Sequence, residues 1–165
     1  MKKSIFRSLL AGSVLGLLGT QAMAASDTVL VTGTVLSVLT IAADTSGGGN
    51  SFNITPGVAV SNQALATLNI NSNSPTGYTV TLTGTHATSV LQDSASNTIA
   101  YTAKYDGASA QSITTAAVTV EDTTGTTAGE VGRALTLDIA APDTVGVPAT
   151  AGGYTDTITA EILAK

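Results

Sequence analysis

From Asp27 onward the chain alternates apolar and polar residues with a period near two. Thr and Val dominate, and clusters of Gly, Asn, Asp, Ser or Pro interrupt the alternation. A period of two is the mark of strands with one buried face, so the pattern predicts an all-β protein. Strands are expected over residues 28–41, 51–54, 64–71, 78–84, 98–105, 112–121, 133–140 and 154–163. No segment offers a convincing helix, residues 60–66 being the least poor. The breaks carry turn chemistry: Asp44 to Asn50 with three glycines, Asn73-Ser74-Pro75-Thr76-Gly77, and Asp106-Gly107. Polar connections follow at 123–129 and 141–153. Strands with a single apolar face must bury it against a second sheet. The expected fold is therefore an immunoglobulin-like antiparallel β-sandwich of seven to eight strands, with a barrel as the competing arrangement.

The first 24 residues follow a different pattern. Lys2, Lys3 and Arg7 precede an apolar run from Ser8 to Thr20, and Ala22-Met23-Ala24 forms an A-x-A site. This is the layout of a secretory signal peptide, and the run is too short to span a bilayer. Residues 1–24 are thus expected to be removed, leaving 25–165 as a single domain. It would pass through the periplasm to the cell surface or the extracellular space, with no membrane span after cleavage. Removal changes the charge picture, because only Lys104, Arg133 and Lys165 remain against eleven acids, a net of -8. Nucleic acid is excluded as an expected partner, since phosphate binding needs clustered Lys and Arg. With no cysteine in the chain, no disulfide framework or thiol chemistry is available.

Candidate chemistry is sparse, and no enzymatic function and no cofactor are expected. His86 is the only histidine, and no second His or Cys can join it as a metal ligand. The motifs G-x-S-x-G, H-E-x-x-H and G-x-x-x-x-G-K are absent. The acids Asp93, Asp106, Asp138, Asp143 and Asp156 stand singly, and Glu121-Asp122 point to opposite faces of a strand. The loop Asp44 to Asn50 has oxygen donors for calcium but lacks the EF-hand spacing, so its binding of calcium is left open. Tyr101 and Tyr105 share the face of Ile99 and Ala103, which assigns them to the core rather than to a sugar platform.

The two ends of the mature chain read as interaction devices. On the odd-numbered face of residues 28–41 lie Val29, Val31, Gly33, Val35, Ser37, Leu39 and Ile41. Burying each large aliphatic chain there is worth about 1.5–3 kcal/mol, so this strand is expected to pair, either within its own sandwich or in a neighbour's. Pairing into a neighbour is β-strand addition, and its head-to-tail repetition makes a fibre. Val29, Val31, Val35, Leu39 and Ile41 are the candidate donor residues. Tyr154, Ile158, Ala160 and Ile162 are the candidates to border an acceptor groove.

Several short motifs, Val31-Thr32-Gly33-Thr34-Val35, Pro75-Thr76-Gly77-Tyr78, Ile99-Ala100-Tyr101-Thr102 with Tyr105, and Gly153-Tyr154-Thr155-Asp156-Thr157-Ile158, together resemble the spore coat protein U / Csu-type fimbrial subunits of chaperone-usher systems. The resemblance implies an immunoglobulin-like domain lacking one strand, a periplasmic chaperone and an outer-membrane usher as partners, and polymerisation by exchange of N-terminal strands. Members of that family commonly carry cysteines, and this chain has none. The expected function is a structural subunit of a surface fimbrium involved in adhesion or biofilm. The alternative is a monomeric secreted or periplasmic binding module, an adhesin or glycan binder, that uses its loops.

Overall fold

Successive strand residues point to opposite sides, so alternation gives each sheet one apolar face, and burying those faces together makes the fold. The computed structural model describes residues 30–46, 51–127, 129–142 and 151–165. The leader assigned to residues 1–24, the donor candidate Val29 and part of the 44–50 loop lie outside that set. One compact unit ends at Thr34, and of it only residues 30–34 are described. The other, Val35–Lys165, carries all nine described strands. These are β1 (Leu39–Asp44), β2 (Val60–Ser72), β3 (Tyr78–Thr83), β4 (Val90–Gln92), β5 (Thr98–Ala100), β6 (Thr102–Tyr105), β7 (Val118–Asp122), β8 (Val131–Ile139) and β9 (Thr159–Ala164).

The strands form a sheet of order β1-β2-β8-β6, a sheet of order β7-β3-β9 and the pair β4-β5, every pairing antiparallel. The described part of the protein is thus an all-β sandwich. Leu68 and Ile70 of β2, Leu135, Leu137 and Ile139 of β8, and Ala103 and Tyr105 of β6 face Tyr78, Val80 and Leu82 of β3. Leu91, Ile99, Tyr101 and Ile113 complete this one core. The register sets Ile41 opposite Ile70, and Ala160 and Ile162 opposite Leu82 and Val80. Alternation therefore orients the apolar side chains of β1 and β9 inward.

The structure corrects several expected boundaries. Regular pairing in the first strand begins at Leu39, and residues 30–38 form no described strand. Residues 51–54 are not a strand either, although Phe52 and Ile54 still pack on the core. The strand expected over 98–105 divides at Tyr101: β5 pairs with β4, whereas β6 joins β8 in the large sheet. Residues 60–66 belong to β2, which bends through register shifts against β8 near Asn62. Asn62 adopts a φ of 51°, a conformation Asn tolerates better than most residues. Strand β4 has no counterpart among the expected segments, because three residues are too few to reveal a period.

Two turns perform as their residues suggest. Asp106 and Gly107 both have positive φ, and Ala108 N–H returns to Tyr105 C=O at 2.9 Å, as a tight primed turn requires. Gly77 has a φ of 93°, and a Cβ there would lie 2.1 Å from the Thr123 carbonyl oxygen. Only glycine fits this close approach between the turn before β3 and the segment after β7.

Candidate functional site: the groove between β1 and β9

Two sheet edges meet along one side of the sandwich. Strand β1 pairs only with β2 and strand β9 only with β3 among the described residues, so each offers an unpaired backbone edge. Unpaired edges are templates for another strand. Between them lies a groove in two parts that share Ile41 and Ala160. One part, about 570 Å³, runs past Ala43, Leu65, Leu91 and Tyr101 to the segment 152–158. The other, about 600 Å³, opens between Leu39 and Ile162 toward the outer face, where Thr40, Thr79, Thr81 and Glu161 line it. This placement means that β1 and β9 run in opposite directions across the opening.

The floor of the groove is core. Leu68, Leu135 and Leu137 are almost completely buried, whereas Leu39, Ile41, Tyr154, Ile158, Ala160 and Ile162 are only half-buried and pack against that core from the sides. These side chains form an inward-facing apolar row that is mostly but not completely covered.

The wall formed by residues 152–158 is fastened in two ways. Gln92 and Thr155 exchange both backbone hydrogen bonds at 2.9 Å. Asp156, its side chain only 2 % exposed, accepts hydrogen bonds from Tyr101 Oη at 2.6 Å, Thr157 N–H at 2.7 Å, and the Thr85 N–H and hydroxyl. Burial pulls the Asp156 pKa upward, but the bonds from Thr85, Tyr101 and Thr157 outweigh it and hold the carboxyl below its ordinary range. Desolvation, followed by the bond to Asp156, pushes the Tyr101 phenol well above its ordinary value. His86 Nε2 lies 3.9 Å from Asp156 Oδ1.

A second polar cluster ties the two sheets together at the end of the sandwich near β7. Glu121 accepts from Tyr78 Oη at 3.0 Å, from Arg133 Nη2 at 2.9 Å and from the Tyr105 hydroxyl. Arg133 also pairs with Asp106 at 2.9 Å. Burial raises the Glu121 pKa, and the donated bonds from Tyr105, Arg133 and Tyr78 more than offset this, so the carboxyl is held low. This constellation links β3 and β7 to β6 and β8. Among the described residues no three His, Cys, Asp or Glu side chains converge as a metal site would require.

The expected site residues divide as follows. Tyr154, Ile158, Ala160 and Ile162 all stand on the groove wall. Leu39 and Ile41, expected within one long donor strand, are part of β1 and pair with Ser72 and Ile70 of their own chain. Val31 and Val35 lie outside any strand and are 86 % exposed, and Val29 is outside the described residues. Sequence reasoning missed Leu65, Leu91 and Asp156 as groove residues. Asp156 had a signal: it falls on the even-numbered row 154, 156, 158, 160, 162, where an acid must be satisfied internally. No protein-family model and no curated protein sequence matches this chain.

Proposed function

We propose that the chain is a structural subunit of a secreted surface fibre, polymerising when the N-terminal segment of one copy adds as a strand to the groove between β1 and β9 of the next. One observation carries the reading. A groove flanked by two unpaired edges leaves an apolar row partly accessible, while the segment ahead of β1 presents Leu30, Val31, Val35 and Leu36 with 80 % or more of their surface exposed. Each half of this pairing supplies what the other lacks: backbone edges and an open core on one side, an alternating Val-x-Val-x-Gly-x-Val segment from Val29 to Val35 on the other. Neither half lies on the same stretch of chain, so the contact is head-to-tail and repeats into a fibre. The resemblance to Csu-type subunits and the signal-like residues 1–24 support export through the periplasm to the surface, with a chaperone and an usher as assembly partners.

The test is direct. The exported protein, run unheated on denaturing gels, is expected to form a ladder of multimers that heating collapses. Deleting residues 25–36 is expected to abolish the ladder and leave a monomer. A peptide of residues 25–37 added to that monomer raises its melting temperature, because a ligand of the folded state stabilises it by mass action. A wild-type chain that remains a monomer, with a melting temperature indifferent to the peptide, overturns the reading.

A further inference from the structure

Strand addition leaves a choice that the groove alone does not make: the N-terminal segment could fill the groove of its own chain. We propose that Asn73 decides this choice, holding residues 36–38 in line with β1 so that Val31 and Val35 are withheld from their own groove and presented to a second copy. The inference rests on the strand-addition reading above.

Asn73 grips the backbone on both sides of Ser37. Its Nδ2 donates to the Leu36 carbonyl at 2.6 Å, its Oδ1 accepts from the Val38 N–H at 2.7 Å, and its own N–H donates to the Val38 carbonyl at 3.0 Å. The β1–β2 register of Leu39 opposite Ser72 thereby continues as Val38 opposite Asn73, one step past the end of the strand. A side-chain amide carries a donor and an acceptor, as a peptide group does, and here it takes the place of further ladder.

Self-filling requires the chain to double back alongside β1. In an antiparallel hairpin, opposite residues share a face, so the odd-numbered row must be seated against Leu39, Ile41 and Ala43. The shortest loop that does this is Leu36, Ser37 and Val38, with Val35 opposite Leu39, Gly33 opposite Ile41 and Val31 opposite Ala43, and a loop of residues 34–38 would include the same three residues. These three loop residues are the ones that Asn73 holds. A three-residue hairpin loop also places its last residue in the left-handed region, which β-branched Val38 resists. Reversal farther out is ineffective: a turn centred on Gly33 and Thr34 sets Val31 opposite Leu36, short of the groove. With Asn73 in place, Val31 and Val35 reach a groove only on another molecule.

The chain has no native cysteine, so an introduced pair reports unambiguously. Thr34 and Thr40 are both exposed, and the self-filled hairpin alone would set them directly opposite each other, within disulfide reach. In the full-length exported protein, Thr34→Cys/Thr40→Cys is expected to form no intramolecular disulfide with Asn73 present. It is expected to form one readily in the Asn73→Ala background. Asn73→Ala without the cysteines should lower the multimer fraction on unheated gels on the order of tenfold, the scale set by losing two side-chain hydrogen bonds. Efficient intramolecular cross-linking with Asn73 intact overturns the inference, even if Asn73→Ala fails to fold. A multimer ladder unchanged by Asn73→Ala overturns it while leaving the fibre reading standing. A wild-type chain that never multimerises overturns both.

Discussion

Tyr101 Oη donates a 2.6 Å hydrogen bond to Asp156 Oδ2, joining the residue at which the chain crosses from the β4-β5 pair into the large sheet to the segment that walls the groove. The bond turns a stretch without regular pairing, residues 156–158, into a fixed surface. Removing the phenol with Tyr101→Phe should destabilise the protein by about 1–2 kcal/mol, and Asp156→Ala by more, since it removes the acceptor shared by the buried Tyr101 hydroxyl, Thr85 and the Thr157 N–H at once. Thermal unfolding of the two variants beside wild type measures the order, and an Asp156→Ala variant as stable as Tyr101→Phe would contradict it.

Acid should weaken the fold through the same carboxylates. Glu121 and Asp156 are both held below their ordinary values of 4.5 and 3.8. A carboxyl with a depressed folded pKa contributes stability that is present above its unfolded pKa and lost as pH falls through the folded one. Denaturant midpoints should therefore stay level from neutral pH to about 5 and fall below that. Glu121→Gln should show a shallower acid fall than wild type.

Alkali acts through the phenols. Burial and their carboxylate partners raise Tyr101, Tyr105 and Tyr78 above the ordinary 10.0. A raised folded pKa gives stability that is whole below the unfolded value and lost as pH climbs toward the folded one. Absorbance of tyrosinate should lag behind that of a free phenol until the protein unfolds, after which the signal should rise together with the loss of β circular dichroism.

Charges in the N-terminal segment should separate assembly from folding. Val31 and Val35 are 86 % exposed, so Val31→Asp and Val35→Asp should change the monomer's stability by no more than about 0.5 kcal/mol. Both should abolish the multimer ladder, because a buried unpaired carboxylate is costly in an apolar groove. Gel ladders and melting curves on the same samples check both halves.

Gly77→Ala should cost roughly 3 kcal/mol, since a φ of 93° and a Cβ 2.1 Å from the Thr123 oxygen combine strain with a backbone clash. Gly107→Ala, whose Cβ would meet nothing within 4 Å, should cost only the backbone preference, about 1 kcal/mol. Chemical denaturation of the pair measures the difference.

The sequence by itself determined the class of fold, because a period-two pattern bounded by Pro, Gly, Asn and Asp can bury its apolar side only in sheets. It also placed β3, β8 and much of β2, and it marked Tyr154, Ile158, Ala160 and Ile162 as one row, since alternation is a local property. Only the tertiary structure decided where the first strand begins, because Val35 and Leu39 have the same pattern. What distinguishes them is whether β2 lies beside them, a contact made more than thirty residues away. Pairing partners likewise divided 98–105 at Tyr101, made β1 and β9 the two open edges, and brought Asn73 against residues 36–38. Apolar character along a chain shows what must be covered, but what covers it is set by the order of strands in space.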